Sequence, residues 1–231
     1  GRVAGGYRGR STLRQAAMTL GEMIALYRAQ SGDTAQPYFC DDDLLAIYAN
    51  EAQMEACRRG QLLLDASRVQ LQAGQELVKL APTALRVTRA FVDGHAVSWI
   101  SAEHMDGLYP GWQFDDPQRQ VQHLVFGVAT GALYLWPRPS QAGELHMTVQ
   151  RLPKMPMADG GDKPEIRPEA HPALVHWMLY RAYSRMDTDL YNDAKAAIAL
   201  QQFDAEFGSK ASARNEEWVR SGAALMPGPI A

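Results

Sequence analysis

The stretch DDDLLAIYANEAQMEACRRGQLLLDASRVQLQAGQELVKL, Asp41 to Leu80, changes its hydrophobic period part-way along, and that change decides the fold. In its first half Leu44, Leu45, Tyr48, Ala52 and Ala56 recur at steps of three and four, the spacing of one helix face. Asp41-Asp42-Asp43 opens that helix: one carboxylate caps free backbone N–H groups and the others favour the positive end of the dipole. Arg58 and Arg59 suit its negative C-terminal end, and Gly60 fits the stop. From about residue 67 the period becomes that of a strand, with Val69 and Leu71 alternating with Gln70 and Gln72. Gly74 then turns the chain, and Val78 and Leu80 flank Lys79.

Upstream, Leu13, Ala17, Leu20, Ile24 and Tyr27 form an apolar stripe that predicts a first helix, stopped at Gly32. Pro37 lies in the connection, which is short enough to make the first two helices an antiparallel pair. Residues 1–11 hold Arg2, Arg8 and Arg10 and no acid, the composition of a mobile basic arm. Residues 1–20 lack the basic-then-apolar pattern of a signal peptide.

Downstream, strand patterns continue. Leu85, Val87 and Phe91 share a face opposite Arg86 and Thr88, and Asp93-Gly94 is a two-residue hairpin signal with Val97 and Trp99 on the return strand. Ser101 to Leu108 makes one helical turn. Leu124 to Val128, Leu133 to Trp136 and Leu145 to Val149 complete an antiparallel sheet or small sandwich of about six or seven strands. A Pro- and Gly-rich connector (Pro153 to Pro168) leads back to helical periodicity in Leu174, Val175, Met178, Leu179, Ala182 and Tyr183. Met186 to Asp189 reads as a turn and new cap. Leu190, Ala194, Ala197, Ile198, Leu200, Phe203 and Phe207 then form a last helix closed by Gly208.

The expected fold is therefore α+β: an antiparallel helical bundle of two N-terminal and two C-terminal helices, an inserted antiparallel β-sheet or small sandwich, and an extended C-terminal tail. The expected boundaries are an arm at 1–11, the bundle at 12–66 and 167–208, the β part at 67–153, a connector at 154–166 and the tail at 209–231. The last residues, Ser221 to Ala231, carry no charged side chain, and Leu225, Met226, Pro227, Pro229 and Ile230 are the residues expected to dock on a neighbour.

At 231 residues, with 46% hydrophobic and 21% charged side chains, the composition is that of an ordinary globular protein rather than a disordered one. A net charge of -3 argues against a dedicated nucleic-acid binder. No uninterrupted apolar run approaches the roughly 18 residues of a membrane-spanning helix. Cys40 and Cys57 are too few for a disulfide scaffold and too far apart for CxxC, so both are expected as free thiols in a reducing compartment.

No nucleotide, nucleophile-elbow or zinc-protease motif is present. His171 and His176 are five apart, off the spacing of a helical ligand pair, and a packing role at a helix start suits His171. His123 and His146 fall on strand surface. Asp41 to Asp43 serves as a cap more naturally than as a cation site, and Cys57, though next to Arg58 and Arg59, has the setting of a core filler. Trp99, Trp112 and Trp136 fit packing around a small sheet better than a sugar platform. No catalytic, cofactor-binding or metal site is expected, and no cofactor.

The succession of segments resembles the head–tail adaptor proteins of tailed bacteriophages. The carrying stretches are DDDLLAIYANEAQMEACRRGQLLL (Asp41 to Leu64), the β-rich part entered through VQLQAGQELVKL (Val69 to Leu80) and left through LYLWPRPSQAGELHMTVQRLP (Leu133 to Pro153), and the block from Ile166 to Gly208. The likeness covers roughly residues 12–208.

It implies a non-catalytic virion protein, assembled in the host cytoplasm. Such adaptors form a homo-oligomeric ring, usually of twelve copies, beneath the portal protein and above tail or nozzle proteins. Genomic DNA passes through the lumen without sequence-specific binding, and no membrane is involved. A near-neutral chain suits a lumen that lets DNA slide. The competing expectations are another neck or tail ring component, a carbohydrate-binding module built on the tryptophans, and a metal-dependent hydrolase using His123 and His146.

Overall fold

The computed structural model describes residues 17–115 and 118–209. Helix α1 (Leu20–Ser31) starts later than its apolar stripe suggests, because Thr19 caps it. The Thr19 hydroxyl accepts from the Glu22 N–H while the Glu22 carboxylate accepts from the Thr19 N–H, and Gly32 ends the helix in the left-handed region. Its buried face is Leu20, Met23 and Tyr27, so Met23 takes the central place that the stripe gave to Ile24. Helix α2 (Asp42–Arg59) is capped by Asp41, whose side chain accepts from the Leu44 N–H, and Leu45, Tyr48, Ala52 and Ala56 are buried along it. In the loop between them Asp33, only 2% exposed, accepts from the Phe39 and Cys40 N–H groups and pairs with Arg28.

The chain then passes through β1 (Leu64–Leu71), β2 (Leu77–Lys79), β3 (Ala84–Val92), β4 (His95–Ala96) and β5 (Ser98–Ser101). After α3 (Ala102–Leu108) come β6 (Gln118–Arg119), β7 (His123–Phe126), β8 (Ala132–Trp136), β9 (Arg138–Pro139) and β10 (Gly143–Arg151). They form one sheet in the order β1-β10-β3-β4, a second in the order β2-β8-β7-β5, and a small β6-β9 ribbon. Leu71, Val87, Leu124, Leu133, Leu135, Leu145 and Met147 fill the core that the two larger sheets share. Each such side chain contributes roughly 1.5–3 kcal/mol by burial. Ile100, Met105, Trp112 and Val125 make a smaller core beneath α3.

The α+β class expected from the sequence holds, with local differences among the strands. The return strand after Asp93-Gly94 ends at Ala96; Val97 turns into the core and the chain crosses to the second sheet, where β5 runs parallel to β7. Alternation along a strand reveals its faces but not its partner's direction. Ser101 caps α3, which fills the stretch expected to be helical with about two turns. Finally, β3 is bulged against β10: Thr148 faces Arg89, Val149 faces Val87, and Thr88 is the extra residue. The bulge moves Phe91 off the face of Val87, so Val87, Ala90 and Val92 point inward.

Helices α4 (His171–Tyr183) and α5 (Asp193–Phe207) complete the bundle. The expected cap at Met186 to Asp189 is a loop instead; Asn192 caps α5, accepting from the Lys195 N–H. That phase buries Ala196, Ala199, Phe203 and Phe207 and leaves Ile198 56% exposed. Contacts fix the directions. Glu51 of α2 meets Trp177 and Arg181 of α4, the Asn192 N–H before α5 reaches the Tyr183 carbonyl, and His171 at the start of α4 meets Met18 before α1. Consecutive helices therefore alternate in direction, and α4, packed against α1, α2 and α5, runs parallel to α1.

Candidate functional site

The residues expected to make outside contacts, Leu225, Met226, Pro227, Pro229 and Ile230 in the tail and Arg2, Arg8 and Arg10 in the arm, lie outside the described residues. The described chain does fix where those segments leave. Met18 lies on His171, whose ring spans the carbonyls of Met18 and Ile166, so His171 is a buried packing residue. At the other terminus Arg59 donates to the Gly208 carbonyl. The starts of α1 and α4 and the ends of α2 and α5 share one end of the bundle. The first sheet abuts it there, where the Gln150 amide donates to the carbonyls of Cys57 and Gly60.

Arg59 fastens that end. Its side chain is 4% exposed, pairs with Asp204, lies 3.6 Å from Glu55 through Nε, and covers the rings of Phe203 and Trp177. The connector straps the same region. Asn50 exchanges hydrogen bonds with the Met157 backbone, and Gly21 and Leu20 donate to the carbonyls of Gly160 and Asp162. Arg151 links strap to sheet by pairing with both Glu165 and Asp65. Lys154, then Arg151, hold the Asp65 carboxyl below its usual range; Glu165 is lowered too, its burial outweighed by Arg151 and the backbone N–H groups of Lys154 and Met155.

The groups that invite chemistry are spent on scaffold. Burial pushes the Cys57 thiol up to about 12, so it is held protonated, and both cysteines are buried and free. Asp41 caps α2 and Asp42 pairs with Arg28. His123 and His146 sit on different sheets; His123 contacts Ser98 and lies against Trp136, and His146 pairs with Glu144. Among the described residues no group of three or more His, Cys, Asp or Glu is placed to hold a metal ion. Trp99 stacks on Phe126, Trp112 is buried and donates to Asp106, and Trp136 lies against Tyr109 and His123. Three tryptophans that the sequence leaves open for a sugar are thus packed on other rings.

What the surface does offer is contact area. At the tip of α3, Leu108, Tyr109 and Phe114, the last 94% exposed, border an open depression of about 460 Å³ lined also by Arg119, Gln122 and Trp136. At the bundle end away from the sheets, Phe39, Ile47, Met186 and Tyr191 are exposed beside Asp41, Asp43, Asp187 and Asp189. Apolar anchors rimmed by charge are the composition of a protein–protein contact. Strand and helix periodicity did not foretell either cluster, because most of their members stand on loops and the rest, Ile47 on α2 and Leu108 at the end of α3, lie off the buried faces of their helices.

The helical bundle and its β-rich part leave apolar anchors exposed at the tip of α3 and at the bundle end away from the sheets. The chain matches the SU10 adaptor protein family over residues 18–226, and it belongs to that family of bacteriophage head–tail adaptors. It is accordingly a phage structural protein that joins other head or tail proteins. No curated protein matches it in sequence. Among the described residues no helix is long and apolar enough to cross a membrane.

Proposed function

We propose that this adaptor forms a closed ring of twelve copies beneath the portal protein, bridging it to tail or nozzle proteins and surrounding the passing genome. Membership of the SU10 adaptor family over residues 18–226 carries this reading. The structure supports it in two ways. Two unlike apolar surfaces on one subunit suit heterologous contacts, which close into rings. The arm and the tail both depart from the sheet-side end of the bundle, where they can reach the same neighbour. On this reading the helices form a bundle domain, the strands form an inserted domain that faces a second component, and Leu225 to Ile230 dock on the portal or the adjacent subunit. The protein does no chemistry.

The test is stoichiometry. Quantitative mass spectrometry of purified virions is expected to find this chain and the portal in equal numbers. A chain absent from virions, or present in hundreds of copies like a capsid subunit, refutes the reading.

A further inference from the structure

The outer face of the first sheet gathers three of the described cations that make no ion pair; Lys79, Arg119, Lys163, Arg167 and Lys195 are others, scattered elsewhere. Arg28, Arg58, Arg59, Arg151, Arg181 and Arg185 each pair with an acid. Among the described residues Arg68, Arg86 and Arg89 have no carboxylate partner; Arg89 lies over its own neighbour Phe91. Register puts the three together. Arg68 faces His146 across β1 and β10, while Arg89 faces Thr148 and Arg86 faces Gln150 across β10 and β3. Arg86 and Arg89 are three apart and in a regular strand would point to opposite faces. The bulge at Thr88 brings both to the outer one, Arg89 exposed and Arg86 half-buried opposite Gln150, beside the junction with the bundle.

We propose that this face binds the phosphate backbone of duplex DNA without regard to sequence, through Arg68, Arg86 and Arg89. The reading rests on the proposed ring only for bringing DNA to the face. Strand spacings of about 4.8 Å and residue rises of about 3.4 Å set Arg68 roughly 12 Å from Arg89, and Arg89 roughly 7 Å from Arg86. No single small anion touches all three; an extended polyanion does. Beside Arg89 stands Thr148, a side chain that donates to phosphate and sugar oxygens, and the acid of this face, Glu144, is already engaged by His146 and Gln70. An acidic protein surface fits less well, because Phe91, amid the face, is half-buried with Arg89 over it and the exposed Leu64 stands at the end of β1, whereas protein contacts are anchored by central, desolvated aromatic side chains.

The experiment measures binding of the full-length protein to a fluorescent duplex of about 20 base pairs, in two unrelated sequences, as salt rises from about 20 to 100 mM. Each phosphate contact contributes about -0.9 to the slope of log K against log salt, so the three arginines contribute about -2.7, an affinity loss near 80-fold over that range. Arg68→Gln with Arg89→Gln, both exposed positions, is expected to flatten the slope by about 1.8 while the circular dichroism spectrum stays unchanged. Lys195→Gln, at the far end of the bundle, leaves it alone. The inference is overturned by any of three results: no binding at low salt, a slope that the pair of substitutions does not change because Arg2, Arg8 and Arg10 carry it, or binding of polyglutamate in place of the duplex. None of these bears on virion stoichiometry, so the ring reading stands or falls separately.

Discussion

Arg59→Ala removes the cation that joins the end of α2 to the end of α5. Its guanidinium is buried, reaches Asp204 and the Gly208 carbonyl, and lies over Trp177 and Phe203. Removing one partner of a buried ion pair costs about 3–5 kcal/mol, mostly by stranding the other charge. Two features reduce that here. Asp204 is one-third exposed and regains water, and Glu55 keeps Arg58 at 2.9 Å. A loss of roughly 2–3 kcal/mol remains, which for a chain of this size lowers the Tm by about 5–10 °C. Chemical denaturation followed by circular dichroism measures it. Arg59→Met keeps a stem over the two rings and loses only the charge. A double-mutant cycle of Arg59→Met with Asp204→Asn is expected to give a coupling of at least about 1 kcal/mol. A single-mutant loss below about 0.5 kcal/mol, or a coupling near zero, refutes the account of this junction.

Gly21 passes so close to the strap that an added Cβ lies 3.1 Å from the Gly160 carbonyl oxygen. Gly21→Val is therefore expected to lose about 1–3 kcal/mol, while in Gly21→Ala better helix propensity offsets a smaller clash; a valine variant as stable as the parent contradicts this. Burial holds His123 and His176 below the ordinary value of 6.5, so the unfolded chain binds more protons. Stability is full above about pH 6.5 and falls as the pH drops below it; melting at about pH 7.5 and 5.5 checks the sign, and His176→Gln narrows the difference. Deleting Ser221 to Ala231 is expected to leave the Tm unchanged and abolish incorporation into particles, and normal incorporation defeats the docking role of the tail. Replacing Arg2, Arg8 and Arg10 by alanine weakens assembly in a salt-dependent way, and equal assembly at low salt counts against the arm.

Much of the fold was legible because its caps and turns are local. Asp41, Gly32 and Gly208 mark helix ends by chemistry that acts within a few residues, and Asp93-Gly94 forms its hairpin in the left-handed region that the pair tolerates. Thr19 with Glu22 and Asn192 before Asp193 were equally readable signals, and they set the true starts of α1 and α5. The parallel pairing of β5 with β7 was not readable, since direction depends on a crossover through the core. Nor was the bulge at Thr88, which is set by register against β10 and which moves Phe91 outward and gathers Arg86 with Arg89. Exposed apolar side chains on loops, such as Phe39, Phe114 and Met186, carry no periodicity to detect.

The most direct test of the central claim is electron microscopy of the purified protein mixed with the portal of the same virus. The account predicts a closed ring stacked on the narrow end of the portal, and three-dimensional reconstruction would count its twelve subunits. Folded portal and folded adaptor that form no complex, or an adaptor found only at a distal part of the tail, contradict it.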